Sequence, residues 1–364
     1  MKRENILSVI FLCIFLMILI LPHFLDPLLS DFLVYGTSAE NRNKTSFPKK
    51  IKYRKLAKIT EEYYNDRMPF RNIFIKWSQN IHDVCFPFFL GQVIEGKNGF
   101  LFYNPPTREN SLSQYKGKLA FRTYNLKKAA AYFQKIHESL KEINLDLYIV
   151  IPPNKLQVYP DKLPVRRKFS PGLQPQNQLK EYLQSHHPEI NFYLLCDELL
   201  KARTKCPFPL YYPEDTHWNN LGAYVGTRFL IRTIAPECQW PEIDQLKIID
   251  LSSNEPQDLW PMMGKKAPPP KKEKGIDFKN IPRYFKYEER NVATYFVTKN
   301  PQASDRRKVL IFRDSFAFNM QPYLSAYFAE VHYIWEEFSL AKTKEINPDL
   351  VIIECVARVV PHFK

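Results

Sequence analysis

The stretch Lys308-Val309-Leu310-Ile311-Phe312-Arg313-Asp314-Ser315-Phe316 decides the fold: an apolar run of strand length passes into Asp-Ser and then into a helical pattern. A half-exposed strand alternates apolar and polar residues, whereas a strand covered on both faces reads as a continuous apolar run. Residues 308–312 are of the second kind. The same pattern repeats outward from this point. Leu126, Ala130, Phe133, Ile136 and Leu140 recur at helical spacing within residues 122–143, and residues 145–151 follow as a short apolar strand halted by Pro152-Pro153. Residues 176–185 read as a helix, 191–195 as a strand and 197–203 as a short helix. Residues 219–234 read as a longer helix with Leu221, Tyr224, Val225, Phe229 and Leu230 on its apolar face. Beyond the opening stretch come a helix at 316–328 and strands at 331–335 and 350–354. Strands alternating with helices define an α/β class, a parallel sheet flanked by helices.

Residues 6–25 form an almost uninterrupted apolar run, close to the roughly 20 residues that cross a bilayer as a helix. Lys2 and Arg3 precede it, so the positive-inside rule keeps the N-terminus in the cytoplasm and exports the rest. The expectation is a single-pass protein of the inner membrane. Residues 1–25 are the cytoplasmic tip and transmembrane anchor, 26–90 a juxtamembrane stem with short helices, and 91–364 the periplasmic domain. A cleaved signal peptide is the competing reading, but the small-residue site Thr37-Ser38-Ala39 lies far downstream of the apolar core. Within the domain, residues 91–103 read as a hairpin turning at Lys97-Asn98-Gly99. Residues 264–280, with a proline triplet and dense lysines, read as an extended, mobile loop.

Lys and Arg number 52 against 38 Asp and Glu, a net charge of +14. That balance suits an anionic partner, or is simply a basic surface. Because the charge sits in an exported domain, nucleic acid is not the expected partner. A hydrophobic content of 45% excludes a disordered chain. The cysteines show neither a C-x-x-C pair nor metal-ligand spacing, which argues against zinc. Cys196 and Cys206 are one pair that an oxidising compartment could bridge.

Two stretches carry residues fit for chemistry. Tyr212-Pro213-Glu214-Asp215-Thr216-His217-Trp218-Asn219-Asn220-Leu221-Gly222 sets a carboxylate two residues before an imidazole at the mouth of a helix. The opening stretch sets Ser315 where a buried strand turns into a helix, a turn that presents its side chain at the carboxyl edge of the sheet. A serine hydroxyl needs a base to take its proton and a third group to orient that base. Ser315, His217 and Asp215 fill those three places. Taken singly, each has a plainer reading: Asp314 and Ser315 as caps of the following helix, Asp215 or Thr216 as an N-cap. A metal site on Asp215 and His217 lacks further ligands.

These residues carry a resemblance. Gly96-Lys97-Asn98-Gly99-Phe100-Leu101-Phe102-Tyr103, Ile149-Val150-Ile151-Pro152-Pro153-Asn154-Lys155, Asp215-Thr216-His217-Trp218, Asp314-Ser315-Phe316 and the run from Asn347-Pro348-Asp349 to Arg358 resemble segments of one family. It is the exopolysaccharide O-acetyltransferase family, of the AlgX and AlgJ alginate acetylation type, whose domain is SGNH-hydrolase-like. The resemblance spans residue 91 to the C-terminus. It implies Ser315 as nucleophile, His217 as general base, Asp215 as orienting acid and the backbone N–H of Ser315 as an oxyanion donor. Arg358, and Asp314 beside the nucleophile, take supporting roles.

No cofactor is implied beyond an acetyl donor. An exported polysaccharide and a membrane-embedded acyl-transfer protein are the implied partners. Two positions depart from the family: Arg313 replaces a glycine beside the nucleophile, and Ala357 an acidic residue before Arg358. The alternatives are a carbohydrate acetyl esterase with the same three residues, and a catalytically weak, basic glycan-binding scaffold.

Overall fold

The apolar run at 308–312 lies inside a seven-stranded sheet. The computed structural model describes residues 11–17, 21, 25, 92–164, 169–277, 286–291 and 294–363. The chain divides into two units, one of residues 1–91 with 260–268, the other of residues 92–259 with 269–364. In the first, residues 11–17 are helical, and Phe11, Leu12, Ile14, Phe15 and Met17 are exposed. Among the described residues no helix is long and apolar enough to cross a membrane. The remainder of the expected span 6–25, and the stem 26–90, lie outside the described residues.

The second unit opens with a hairpin of β1 (Val93–Glu95) and β2 (Leu101–Tyr103). It turns where the sequence places it, with Asn98 and Gly99 at φ 57° and 77°, a conformation that asparagine and glycine tolerate best. There follow α1 (Thr123–Lys141), β3 (Asp146–Ile151), α2 (Pro175–His186), β4 (Asn191–Leu194), α3 (Cys196–Lys205) and α4 (Asn220–Ile234). Then come β5 (Ile248–Asn254), β6 (Lys272–Ile276), β7 (Lys286–Asn291), β8 (Tyr295–Lys299) and β9 (Asp305–Phe312). The chain closes through α5 (Ala317–Tyr327), β10 (Phe328–Ile334), α6 (Leu340–Ile346) and β11 (Leu350–Glu354).

The main sheet runs β4-β3-β11-β9-β10-β8-β7. Its first five strands are parallel, but β8 pairs antiparallel with β10 and β7 antiparallel with β8. The expected parallel sheet flanked by helices is thus found in part: five strands are parallel and the sheet as a whole is mixed. β8 carries three buried residues in sequence and β10 four, so neither shows the polar alternation that marks a half-exposed antiparallel strand. The expectation of a mobile loop at 264–280 is corrected in part. Lys272–Ile276 form β6, paired antiparallel with β5, while residues 278–280 lie outside the described residues.

Burial explains the layering. All five residues of β11 and the last four of β9 are buried. Ile149, Ile151, Leu310, Phe312, Val351 and Ile353 face Phe133, Ile136 and Leu140 of α1 and Leu179 and Leu183 of α2. Each such side chain contributes about 1.5–3 kcal/mol by leaving water. The opposite face is covered by α4 and α5, which pack on each other. Their parallel neighbours all end at one edge, where the turns after β3, β4, β9, β10 and β11 gather, and the site is built there.

Gly222 sits where α4 starts against the strand-like segment before it. A Cβ there would meet the Leu210 carbonyl oxygen at 2.2 Å. Backbone cannot yield as a flexible side chain does, so Gly222→Ala is expected to destabilise the fold by about 1–3 kcal/mol, read as a lower urea midpoint.

Candidate active site

The Asp-Thr-His-Trp stretch folds as a closed loop. An isolated antiparallel bridge joins Tyr211 to Trp218, and the Tyr212 N–H donates to the His217 carbonyl at 3.2 Å. The N-cap of α4 is Asn219, whose side chain accepts from the N–H groups of Leu221 and Gly222. The reading of Asp215 or Thr216 as that cap is thus corrected, and the Asp215 carboxylate is left to the imidazole. His217 Nδ1 lies 2.7 Å from Asp215 Oδ1, and the His217 backbone N–H donates to the same oxygen at 2.9 Å. On the far side of the ring, His217 Nε2 lies 2.7 Å from Ser315 Oγ. Three side chains, two of them 98 residues apart in sequence, form one unbroken hydrogen-bonded line.

The serine-bearing turn is braced independently. Asp314 Oδ1 accepts from the Phe316 N–H at 2.8 Å and Oδ2 from the Val356 N–H at 2.7 Å. Asp314 is therefore an acceptor that ties the ends of β9 and β11 together, not a donor to an oxyanion. The two segments are joined by Trp218. Its fully buried indole donates to the Phe316 carbonyl at 2.8 Å, and Asn319 Nδ2 donates back to the Trp218 carbonyl at 2.7 Å. Arg358 lies with its guanidinium carbon 5.2 Å from the Phe316 ring centre and 5.6 Å from that of Tyr103, within cation–π range. It braces the aromatic floor under the site.

Two departures from the family resolve simply. Arg313 points away from Ser315, between the rings of Phe296 and Trp335 at 5.3 and 5.0 Å, and its Nη1 donates to the Asp314 carbonyl. It does not crowd the turn. Ala357 carries no side-chain charge, but its backbone N–H donates to the Pro152 carbonyl and its carbonyl accepts from Gln114. The buried acid near this point is Glu354. Its carboxyl is pushed well up by burial and by the charge of Asp314, and it accepts from the Asp314 N–H.

Two residues essential to this geometry were missed in the sequence. Asp258 accepts from the Thr216 N–H and hydroxyl at 2.8 and 2.7 Å, and its backbone N–H donates to Asp215 Oδ2. Its other carboxylate neighbour is Asp215, and it lies 4.0 Å from His217 Nδ1. Nothing in the sequence near Asp258 marks it. Lys155 closes the Ile149–Lys155 motif, with nothing in the sequence to single it out. It is buried, and its Nζ meets the carbonyls of Tyr212, Pro213 and Asp215 at 3.0, 2.9 and 2.6 Å. Three acceptors match the three donors of an ammonium group, so the charged lysine is what holds the loop. A third support comes from β6: Glu273 accepts from the Tyr212 hydroxyl, from Asn220 at 2.6 Å and from Ser253 at 2.6 Å.

Opposed effects set the electrostatics. Burial pushes the Asp215 carboxyl up, but the hydrogen bonds and charge of His217, with backbone N–H groups, outweigh it and hold it down at about 2. Asp258 is pushed up to about 6 by burial and the nearby charge of Asp215. Burial brings Lys155 down to about 7 against the pull of Asp215, Asp258 and Glu214. Asp215, His217 and Asp258 offer ligand atoms within 4.8 Å of one another. Asp258 is thus a third potential ligand beside Asp215 and His217, which corrects the reading that further ligands are lacking, while the 2.7 Å from His217 Nδ1 to Asp215 Oδ1 is a hydrogen-bond length. Cys196 and Cys206, a pair that an oxidising compartment could bridge, are both free thiols here, and burial pushes each up.

Comparison with known proteins shows what this chain is similar to. Residues 93–259 match the ALGX family model, described as "SGNH hydrolase-like domain, acetyltransferase AlgX". The resemblance to the AlgX/AlgJ-type O-acetyltransferase family is therefore supported over this region, which is similar to an SGNH hydrolase-like acetyltransferase domain. Two structures of Bacillus cereus PatB1, one with sulfonyl adduct, share the fold at 15% identity. Their TM-scores are 0.52 and 0.51, and each match covers 75% of this chain and 99% of that one. The O-acetyltransferase domain of Pseudomonas putida AlgJ matches at TM-score 0.42 and 15% identity, over 75% of this chain and 93% of that one. No curated protein matches the sequence.

Asp258 yields a pH signature. Between pH 3.8 and about 6 the folded protein keeps a proton on Asp258 that the unfolded chain has released. The folded state binds more protons there, so this group makes stability fall as pH rises across that window. Asp258→Asn is expected to flatten that fall, measured as unfolding midpoint against pH.

Proposed function

We propose that this chain is a membrane-anchored O-acetyltransferase that moves acetyl groups onto hydroxyls of an exported polysaccharide through an ester on Ser315. The observation that carries the reading is the line Ser315 Oγ–His217 Nε2, 2.7 Å, continued by His217 Nδ1–Asp215 Oδ1, 2.7 Å. In this reading Ser315 Oγ attacks the carbonyl carbon of an acetyl donor while its proton passes to His217 Nε2. Asp215, an acceptor held at about 2 and so ionised, stabilises the imidazolium. The tetrahedral oxyanion is received by the backbone N–H of Ser315, since the neighbouring Phe316 N–H is taken by Asp314. The imidazolium then gives its proton to the leaving group, and the acetyl stays on Oγ. A sugar hydroxyl next yields its proton to His217 and attacks the ester, and Ser315 leaves with that proton. Every proton moves through one imidazole, and no metal or organic cofactor is required.

The family match over residues 93–259 supports acetyl transfer, and PatB1, with the same fold, is known with a sulfonyl adduct. The apolar run at 6–25 after Lys2 and Arg3 supports an inner-membrane anchor with the domain in the periplasm. An anchored acetyl-transfer domain needs acetyl brought across the bilayer, which a membrane-embedded acyl-transfer partner would supply.

A sulfonyl fluoride is expected to label the wild-type protein once and Ser315→Ala not at all, read by intact mass. Labelling of Ser315→Ala would overturn the nucleophile assignment, and acetate release without transfer to any sugar would make the protein an esterase. Lys155→Met removes the ammonium that holds the Asp215–His217 loop, and a displacement of about 1 Å is enough to slow labelling by about 100-fold. The same mass measurement, followed in time, checks it.

A further inference from the structure

The carboxyl edge of the sheet carries two features that the proton relay does not use. The first is a cavity of about 350 Å³ at the ends of β3 and β4, bordered by Ile151, Leu194, Ala357 and α2. Its wall is made of amides. Gln157, Gln174 and Gln176 are buried, and Asn177 and Gln184 stand exposed at its mouth. The buried amides orient one another: Gln157 Nε2 and Gln176 Nε2 both donate to Gln174 Oε1, and Gln157 Oε1 accepts from the Asn154 N–H. Gln114 links this network onward, donating to Gln176 Oε1 and to the Ala357 carbonyl beside Arg358. Amides fixed in this way present a preset pattern of donors and acceptors, which suits a ligand dense in hydroxyl groups.

The second feature is Trp335, the residue after β10, whose surface is 50% exposed. Its position is held by a hydrogen bond from its backbone N–H to the Thr294 carbonyl and by the Arg313 guanidinium beneath its ring. Phe318, 56% exposed, stands three residues after Ser315 on α5. Large exposed aromatic rings on a braced support are stacking platforms for the apolar C–H faces of sugars.

Strand order sets these features in sequence. Past the ends of β4 and β3 lies the cavity, past β11 Arg358, past β9 Ser315, and past β10 Trp335. Neighbouring strands are about 4.8 Å apart, so the four steps from β4 to β10 span ~19 Å, a length that several linked pyranose residues would occupy. The charged groups along it are mixed: Lys180, Arg313, Lys342 and Arg358 against Glu181, Asp197, Glu336 and Glu337. In spite of the net charge of the whole chain, this edge offers a polyuronate no excess of cations.

We propose that the carboxyl edge is an acceptor track for an uncharged polysaccharide, with Trp335 stacking a sugar beside the reacting residue and the amide cavity holding a sugar further along the same chain. The proposal rests on the acetyl-transfer reading of Ser315 only for its direction, because binding along the track can be measured without chemistry.

The test uses the full chain in detergent, carrying Ser315→Ala, and a panel of neutral hexasaccharides (β-1,4-glucan, β-1,4-mannan and β-1,4-linked N-acetylglucosamine) beside hexagalacturonate. Calorimetry is expected to show at least one neutral hexasaccharide binding more tightly than its own disaccharide and more tightly than hexagalacturonate. Trp335→Ala, and separately Asn177→Ala with Gln184→Ala, should each raise its Kd about tenfold, and Trp335→Phe should restore most of the loss at Trp335. Both altered regions are exposed, so unchanged unfolding midpoints are expected. Preference for hexagalacturonate, absence of binding by every neutral probe, or a Kd indifferent to the variants would overturn the track. Failure of Ser315 labelling in the wild-type protein, with these binding results intact, would overturn the acetyl-transfer reading and leave the track standing.

Discussion

The buried indole of Trp218 joins the two halves of the site. Its N–H reaches the Phe316 carbonyl on one side, while its own carbonyl receives the Asn319 amide on the other. A buried donor without a partner costs about 1–3 kcal/mol, so this ring is secure only when the serine-bearing turn is in place. His217 precedes it and Ser315 precedes Phe316, so the bond that satisfies the indole also sets the 2.7 Å gap between His217 Nε2 and Ser315 Oγ. Gly226, one turn along α4, lets the ring pack down on the helix. A Cβ there would meet Trp218 ring carbon at 2.8 Å. Packing and the geometry of the site thus share one contact.

Around that join the charges are buried in two groups with different tasks. Lys155, Asp215, Asp258 and His217 form the first, in which a cation pins the loop through backbone carbonyls and two carboxylates face one imidazole. Of the two carboxylates, Asp215 is held down and Asp258 pushed up, and both effects trace to their neighbours rather than to residue type. Arg313, Asp314 and Glu354 form the second, at the ends of β9 and β11. There Asp314 spends both oxygens on backbone N–H groups, which keeps the turn after β9 tight, and Glu354 is driven toward its neutral form. A turn so braced presents Ser315 without reorganisation, which is the condition for electrostatic catalysis.

Arg313 illustrates how a departure at one position is absorbed by the rest of the fold. A glycine in that place would leave the space between Phe296 and Trp335 open, whereas the guanidinium fills it and supports an exposed ring. Lys272–Ile276 teach the reverse lesson. Their proline- and lysine-rich surroundings read as a free excursion, yet a single glutamate, Glu273, ties the segment to Tyr212 and Asn220, and pairing with β5 orders it. Composition reports the tendency of a segment in isolation, and tertiary hydrogen bonds override it.

The sequence by itself determined the α/β alternation, most element positions and the Asn98-Gly99 turn, and it singled out Asp215, His217 and Ser315 as candidates. Each is written in a local signal: apolar runs, helical spacing, a turn dipeptide, an acid and a base two residues apart. Only the tertiary structure decided that β7 and β8 enter the sheet antiparallel, that Cys196 and Cys206 stay apart as thiols, and that Lys155 and Asp258 belong to the site. Lys155 lies 60 residues from the carbonyl it grips at Asp215, and Asp258 lies 42 from Thr216. Hydrogen bonds and burial depend on distance in space, and a chain order carries no measure of that distance until the sheet has brought its strand ends to one edge.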